Sequence, residues 1–187
     1  GSPVTPSHDT PSDPGPVVEQ GGAPATSGGR DHLTDGLDQP EHDDPYELFL
    51  ESVRGHRRLL TGYGGNPKAD PEKFREAQNP KHVAISLNGE PTLYSRPGEF
   101  LDICHQHGVS TFLVTNGSLP KVIERLDPLP TQLYVSVDAP NKEIFDRLCK
   151  PKFDKAAFHK LEQTLELLPS LDTRTVCRHT LIKGESL

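Results

Sequence analysis

The amino-acid sequence predicts an α/β fold, a parallel sheet whose strands alternate with helices. Four short runs, VAISL (83–87), TFLV (111–114), LYVSV (133–137) and TVCRHTLI (175–182), are mostly apolar and rich in β-branched residues, as strands buried on both faces are. Segments of helical spacing separate them, so strand, helix and strand recur at roughly 20 to 40 residue intervals, the pattern that requires parallel pairing. Four such strands do not close a barrel. They read as an open doubly wound sheet or as an arc of a larger (β/α) barrel, and the end of the chain at Leu187 favours the arc, a partial TIM-like (β/α) barrel truncated at both ends.

Ahead of the α/β body, residues 1–43 contain seven Gly and seven Pro and no aromatic residue. Too little apolar surface is available there to offset the entropy of ordering, so this stretch reads as a disordered Pro/Gly-rich acidic linker or insert. The second domain, residues 44–187, opens at Asp44-Pro45, an Asp cap followed by Pro in the first turn, with Tyr46, Phe49, Leu50 and Val53 at helical spacing. That helix is predicted to run to Leu60 and to stop near Gly62. Asp70-Pro71 repeats the signal for a short helix, PEKFREAQ, ended by Asn79-Pro80. Between the strands, helices are predicted over 98–107, 120–126, 141–148 and 154–168, the last with Phe158, Leu161, Leu165 and Leu168 on one stripe.

Composition narrows the function classes. Only 32% of the 187 residues are apolar, mean hydropathy is -0.60, and no long apolar run exists, which argues against a membrane span. The net charge of -7 is concentrated in residues 1–44, which hold nine acids and one base, leaving the rest at about +1. Cys104, Cys149 and Cys177 are odd in number and widely spaced; they suit neither a disulfide framework nor a metal knuckle, so a reducing, cytoplasmic setting is expected. The lack of any Met, the Gly1-Ser2 start and the abrupt end read as a piece of a longer protein.

In parallel α/β folds ligands bind at the carboxyl ends of the strands. The residues there are Asn88-Gly89-Glu90-Pro91, Thr115-Asn116-Gly117, Ser136 with Asp138-Ala139-Pro140, and Lys183-Gly184. Glu90 and backbone carbonyls can accept hydrogen bonds from an ammonium group, and Asn116 and Ser136 can meet a carboxylate or ribose hydroxyls, so the rim suits an amino-acid-bearing nucleotide. Each residue also has a plainer role: Glu90 an acid near a helix start, Asn116-Gly117 a tight turn, Asp138 a cap for the helix from Asn141.

The blocks HVAISLNGEPTLY, STFLVTNG, TQLYVSVDAP and RTVCRHTLIKG, in this order, resemble the central part of the tRNA 4-demethylwyosine synthases, radical S-adenosylmethionine enzymes of wybutosine biosynthesis. The likeness spans residues 44–184. It implies a radical S-adenosylmethionine type of barrel holding a [4Fe-4S] cluster and S-adenosylmethionine, and the condensation of N1-methylguanosine in tRNA-Phe with pyruvate. It places Gly89, Glu90 and Pro91 at the methionine amino group, and Thr115, Asn116, Ser136 and Asp138 around the same pocket. Arg178 and Lys183 fall nearer the substrate and are the weak catalytic candidates. An electron donor, a flavodoxin-like domain or protein carrying FMN, is also implied.

Departures from the family pattern accompany the likeness. The CxxxCxxC cluster loop is absent from this sequence, and no metal ligands are assigned among its residues. The piece alone is therefore expected to be inactive and its longer parent to be the enzyme. Arg54, Arg57, Arg58 and Lys68, with Tyr63 to stack, are candidate tRNA contacts, against the alternative of a solvated helix face. Two further readings stand beside the enzyme: a non-catalytic tRNA- or nucleotide-binding module derived from such a barrel, and an unrelated nucleotide-binding α/β sheet. Exposed sheet edges are expected to make the isolated chain marginally stable or aggregation-prone.

Overall fold

The computed structural model describes residues 43–151 and 154–184, all within the compact unit Pro40–Leu187. The linker predicted over residues 1–43 lies outside the described residues except for Asp43. Helix α1 (Pro45–Leu59) begins as its sequence requires: Asp44 Oδ1 accepts hydrogen bonds from the backbone N–H of Tyr46 (2.9 Å) and Glu47 (3.3 Å). Helix α2 (Pro71–Ala77) repeats the device with Asp70.

The body then alternates β1 (His82–Ile85), α3 (Pro97–Gln106), β2 (Ser110–Thr115), α4 (Pro120–Glu124), β3 (Gln132–Ser136), α5 (Lys142–Leu148), α6 (Ala157–Leu167) and β4 (Arg174–Arg178). The strands are hydrogen-bonded in the order β1-β2-β3-β4, and every pair is parallel. The sheet is thus an arc of consecutive βαβ units that does not close, as predicted.

Register divides the arc into two faces. Val83, Thr111, Leu133 and Thr175 share one face with Ile85, Leu113, Thr115, Val135 and Cys177; His82, Phe112, Tyr134, Val176, Ser136 and Arg178 share the other. The first face is covered by helices. There Leu101 of α3, Ile123 of α4 and Leu161 of α6 pack with Leu113, Leu133 and Val135 into the main core. A second cluster, Phe49, Cys104 and Val109, joins α1 to α3.

The prediction of strands buried on both faces is corrected for all four. In β2 and β3 burial alternates between buried and half-buried residues, and edge strands β1 and β4 contain no buried residue. A four-stranded arc has helices behind it and an open inner face, so full burial is confined to the helix-side residues of the two central strands. Two strand ends also differ. Strand β1 stops at Ile85 because Leu87 adopts φ 93°, and β4 stops at Arg178 because its pairing partner β3 ends at Ser136.

Candidate functional site

At the carboxyl end of the open face lies a polar cavity of about 280 Å³, walled by Ser86, Leu87, Gly89, Glu90, Val114, Thr115, Asn116, Ser136 and Arg178. Ligand pockets usually enclose roughly 300–1,000 Å³, so a cavity of this size can take a small polar group or part of a larger ligand.

Glu90 organises the first half of the wall. It caps the 3-10 turn Pro91–Leu93, and its Oε1 accepts from the Thr92 N–H (3.2 Å), the Thr92 hydroxyl (2.7 Å) and the Thr115 hydroxyl (2.7 Å). Its Oε2 accepts from the Asn116 N–H at 2.7 Å. One carboxylate therefore stitches the loop after β1 to the end of β2, and Oε2, with a single bond, retains a lone pair for another donor. Thr115 is almost fully buried and accepts from the Gly117 N–H at 3.0 Å, so its hydroxyl is consumed within the wall. Asn116 turns its Oδ1 to the Ser118 N–H (2.9 Å), the Asx turn that its sequence permitted.

The other half comes from β3 and β4. Arg178 Nη2 donates to Ser136 Oγ at 3.1 Å, and Asp138 Oδ1 accepts from the Thr180 N–H at 3.2 Å. His179 Nδ1 and the Val137 carbonyl form a further short contact between the same two strand ends. A carboxylate and a guanidinium thus face one cavity from opposite halves, an arrangement that suits a zwitterionic amino-acid group next to hydroxyls.

Of the predicted cofactor residues, Gly89, Glu90, Thr115, Asn116 and Ser136 line this cavity together with Arg178. Pro91 is the first residue of the 3-10 turn, and Asp138 ties two loops instead; neither is part of the wall. Asp138 does not cap α5 either, because Asn141 Oδ1 accepts from the Ile144 N–H. Lys183 sits exposed in the turn beyond β4, outside the wall. Sequence reasoning missed Ser86, Leu87 and Val114. Alternation along β2 marks Val114 as facing opposite to Leu113 and Thr115, a signal that was available.

The predicted RNA contacts form a separate group on α1 and the segment after it. Arg54 pairs with Glu51 at 2.8 Å on the exposed face of α1. Arg57 is a clamp, with Nε donating to the Gln78 carbonyl (2.9 Å) and Nη2 to Asn79 Oδ1 (3.2 Å). Arg58, Tyr63 and Lys68 are exposed.

The residues present do not fit an iron-sulfur cluster. Among the described residues no three His, Cys, Asp or Glu side chains converge on a metal-sized site. Cys104 is buried between α1 and α3, where burial pushes its thiol up to about 11, and Cys149 and Cys177 are exposed on other elements. No described helix is long and apolar enough to cross a membrane.

No protein-family model matches the chain. Among curated proteins, it is 47% identical over 154 residues to the S-adenosyl-L-methionine-dependent tRNA 4-demethylwyosine synthase of Pyrococcus horikoshii, covering 81% of this chain and 44% of that protein. The synthase of the same name from Methanocaldococcus jannaschii is 40% identical, with 79% and 46% covered. Human TYW1, also named as that synthase, is 38% identical, with 76% and 19% covered. Among solved structures, TYW1 with a lysine-pyruvate adduct bound superposes with a TM-score of 0.73 at 40% identity, over 79% of this chain and 48% of that one. Archaeal TYW1 gives 0.70 at 36% identity, over 83% and 53%. The chain therefore spans about half the length of its archaeal relatives, and less of the human one.

Proposed function

The chain belongs to the tRNA 4-demethylwyosine synthase family, and from that membership and the rim geometry we propose that its open face is the S-adenosylmethionine-binding wall of such an enzyme. The carrying observation is the polar cavity where Glu90 and Asn116 meet Ser136 and Arg178. Glu90 Oε2 receives the ammonium group of the methionine moiety, Arg178 its carboxylate, and Ser136 with Asn116 the ribose hydroxyls. Gly89, at φ 73° and with open space where a side chain would begin, lets backbone approach the ligand. Pro91 holds the Glu90 loop, and Asp138 fixes the loops after β3 and β4 from behind.

The whole protein then converts N1-methylguanosine in tRNA-Phe, with pyruvate as co-substrate, to 4-demethylwyosine in the cytoplasm. When bound, S-adenosylmethionine supplies the hydrogen-abstracting group for that reaction. A [4Fe-4S] cluster and an electron donor, with FMN where the donor is a flavodoxin-like domain, belong to the same reading, but no described residue holds them. Arg178 and Lys183 lie on the substrate side of the ligand. Arg54, Arg58, Lys68 and Tyr63 meet tRNA phosphates and a base, with Arg57 shaping that surface through its clamp. The relatives named above support this reading by their names, and the adduct-bearing structure supports pyruvate as the co-substrate class.

Calorimetric titration of the chain with S-adenosylmethionine tests the proposal. Binding in the micromolar to millimolar range is expected, weakened at least ~10-fold by Arg178→Ala through loss of a charge-assisted contact. Absence of binding, or equal binding by the variant, would refute it. For the RNA face, replacing Arg58 and Lys68 together by Ala should lower the salt dependence of tRNA affinity by about 1 to 2 phosphate equivalents.

A further inference from the structure

Leu87 carries two disadvantages at one residue. Its φ of 93° lies in the left-handed region, where the Cβ of an L-residue crowds the following carbonyl. The residue is 95% exposed, the highest value among the exposed large apolar residues described. Gly or Asn would remove both disadvantages, and the chain uses those two residues at the next positions, Asn88 and Gly89. Strained backbone persists where the surrounding structure or the function demands it, and Leu87 stands on the wall of the rim cavity.

The cavity lining is mostly polar, with Glu90, Asn116, Ser136 and Arg178 among it, and Leu87 and Val114 are its large apolar members. A ligand matching both kinds of lining has a polar edge and a flat apolar face. A heteroaromatic base combines a flat apolar face with a hydrogen-bonding edge, whereas an aliphatic amino-acid group or a ribose offers no flat aromatic face. We propose that Leu87 is a ligand contact whose branched side chain covers the face of a purine ring bound in the rim cavity. This rests on the nucleoside reading of the cavity given above. The purine is either the adenine of S-adenosylmethionine or the guanine base presented by RNA; both offer the same face.

The test compares Leu87→Asn, Leu87→Gly and Leu87→Met with the unaltered chain, using S-adenosylmethionine, adenosine and guanosine 5'-monophosphate as titrants. Leu87→Asn and Leu87→Gly should unfold at a higher temperature, because backbone strain and exposed apolar area are both removed, yet bind at least ~10-fold more weakly. Leu87→Met, which keeps an apolar side chain, should hold affinity within ~3-fold. Loss on the two adenine compounds assigns the contact to the cofactor's base, and loss on the guanosine compound alone assigns it to the RNA base. Unchanged affinity of Leu87→Asn for every probe that the unaltered chain binds overturns the inference while leaving the cavity reading intact. Binding of adenosine without S-adenosylmethionine overturns the cofactor reading and leaves Leu87 to be judged on adenosine. Failure of all three probes to bind overturns both.

Discussion

Replacing Gly117 by Ala separates two physical costs that the structure assigns to one residue. Gly117 follows β2 with φ 71°, and a Cβ built there would lie 2.8 Å from Leu161 Cδ1 and 3.4 Å from Thr164 Cβ, both on α6. Those neighbours cannot yield easily, since Leu161 is 2% and Thr164 0% exposed, and the Thr164 hydroxyl donates to the Gly117 carbonyl at 2.8 Å. Positive φ costs an Ala about 1–2 kcal/mol, of which ~0.4–1 kcal/mol is returned by the stiffer unfolded chain. Overpacking adds about 1–3 kcal/mol. Gly89→Ala is the control, because it shares the positive φ of 73° and meets nothing within 4 Å. Urea denaturation should therefore show Gly117→Ala less stable than Gly89→Ala by about 1–3 kcal/mol at similar m-value. Equal losses, within ~0.5 kcal/mol, would refute the claim that α6 is packed directly under the rim.

Three further perturbations follow from the same contacts. Glu90→Gln places an NH2 against an N–H or hydroxyl donor whichever way it turns, and should cost about 2–3 kcal/mol in denaturation besides weakening S-adenosylmethionine binding. The buried Cys104 thiol has its folded value raised to about 11 from 9.0, so its contribution is intact below pH 9 and is lost as pH rises toward 11. About 2–3 kcal/mol of stability should vanish over that interval, and the gap to Cys104→Ala should narrow under reducing conditions. On the acid side, the Glu47 N–H holds the Asp44 carboxyl down, and Arg96 lowers Glu99. Their contributions stand above the ordinary carboxylate range and are lost as pH falls through the lowered values. Arg96→Ala, which removes contacts of 3.1 Å to Asp44 and 2.6 Å to Glu99, should flatten the acid limb of the stability curve.

The cap residues and the βαβ order were legible because they depend on neighbours in sequence: Asp44-Pro45 and Asp70-Pro71 start helices by bonding two and three residues ahead. The rim was legible for a different reason, since parallel strands of known direction put all their carboxyl ends on one side. Partnership across the fold was not legible. The bonds of Glu90 reach Thr115 and Asn116, 25 and 26 residues away, and Arg57 reaches carbonyl and amide groups beyond α2. Strand ends failed in the same way. TVCRHTLI reads as one β-prone run, yet β4 pairs only through Arg178, where the partner strand stops. Exposure failed because an apolar run records β propensity but not what faces the open side of an arc.

The rim consists of two pairs of strand ends, each already fixed. Glu90 locks the ends of β1 and β2, while Arg178–Ser136 and Thr180–Asp138 lock those of β3 and β4. The cavity lies between the pairs, so a ligand touching Glu90 and Arg178 spans groups that need little ordering to receive it. Its stabilising effect should then follow mass action alone, about 2.7 kcal/mol at 100 times Kd, with the m-value unchanged. A denaturation series at rising S-adenosylmethionine measures both quantities. An m-value that grows with ligand would mean that additional surface becomes buried only in the complex, and the preformed wall inferred from these hydrogen bonds would be wrong.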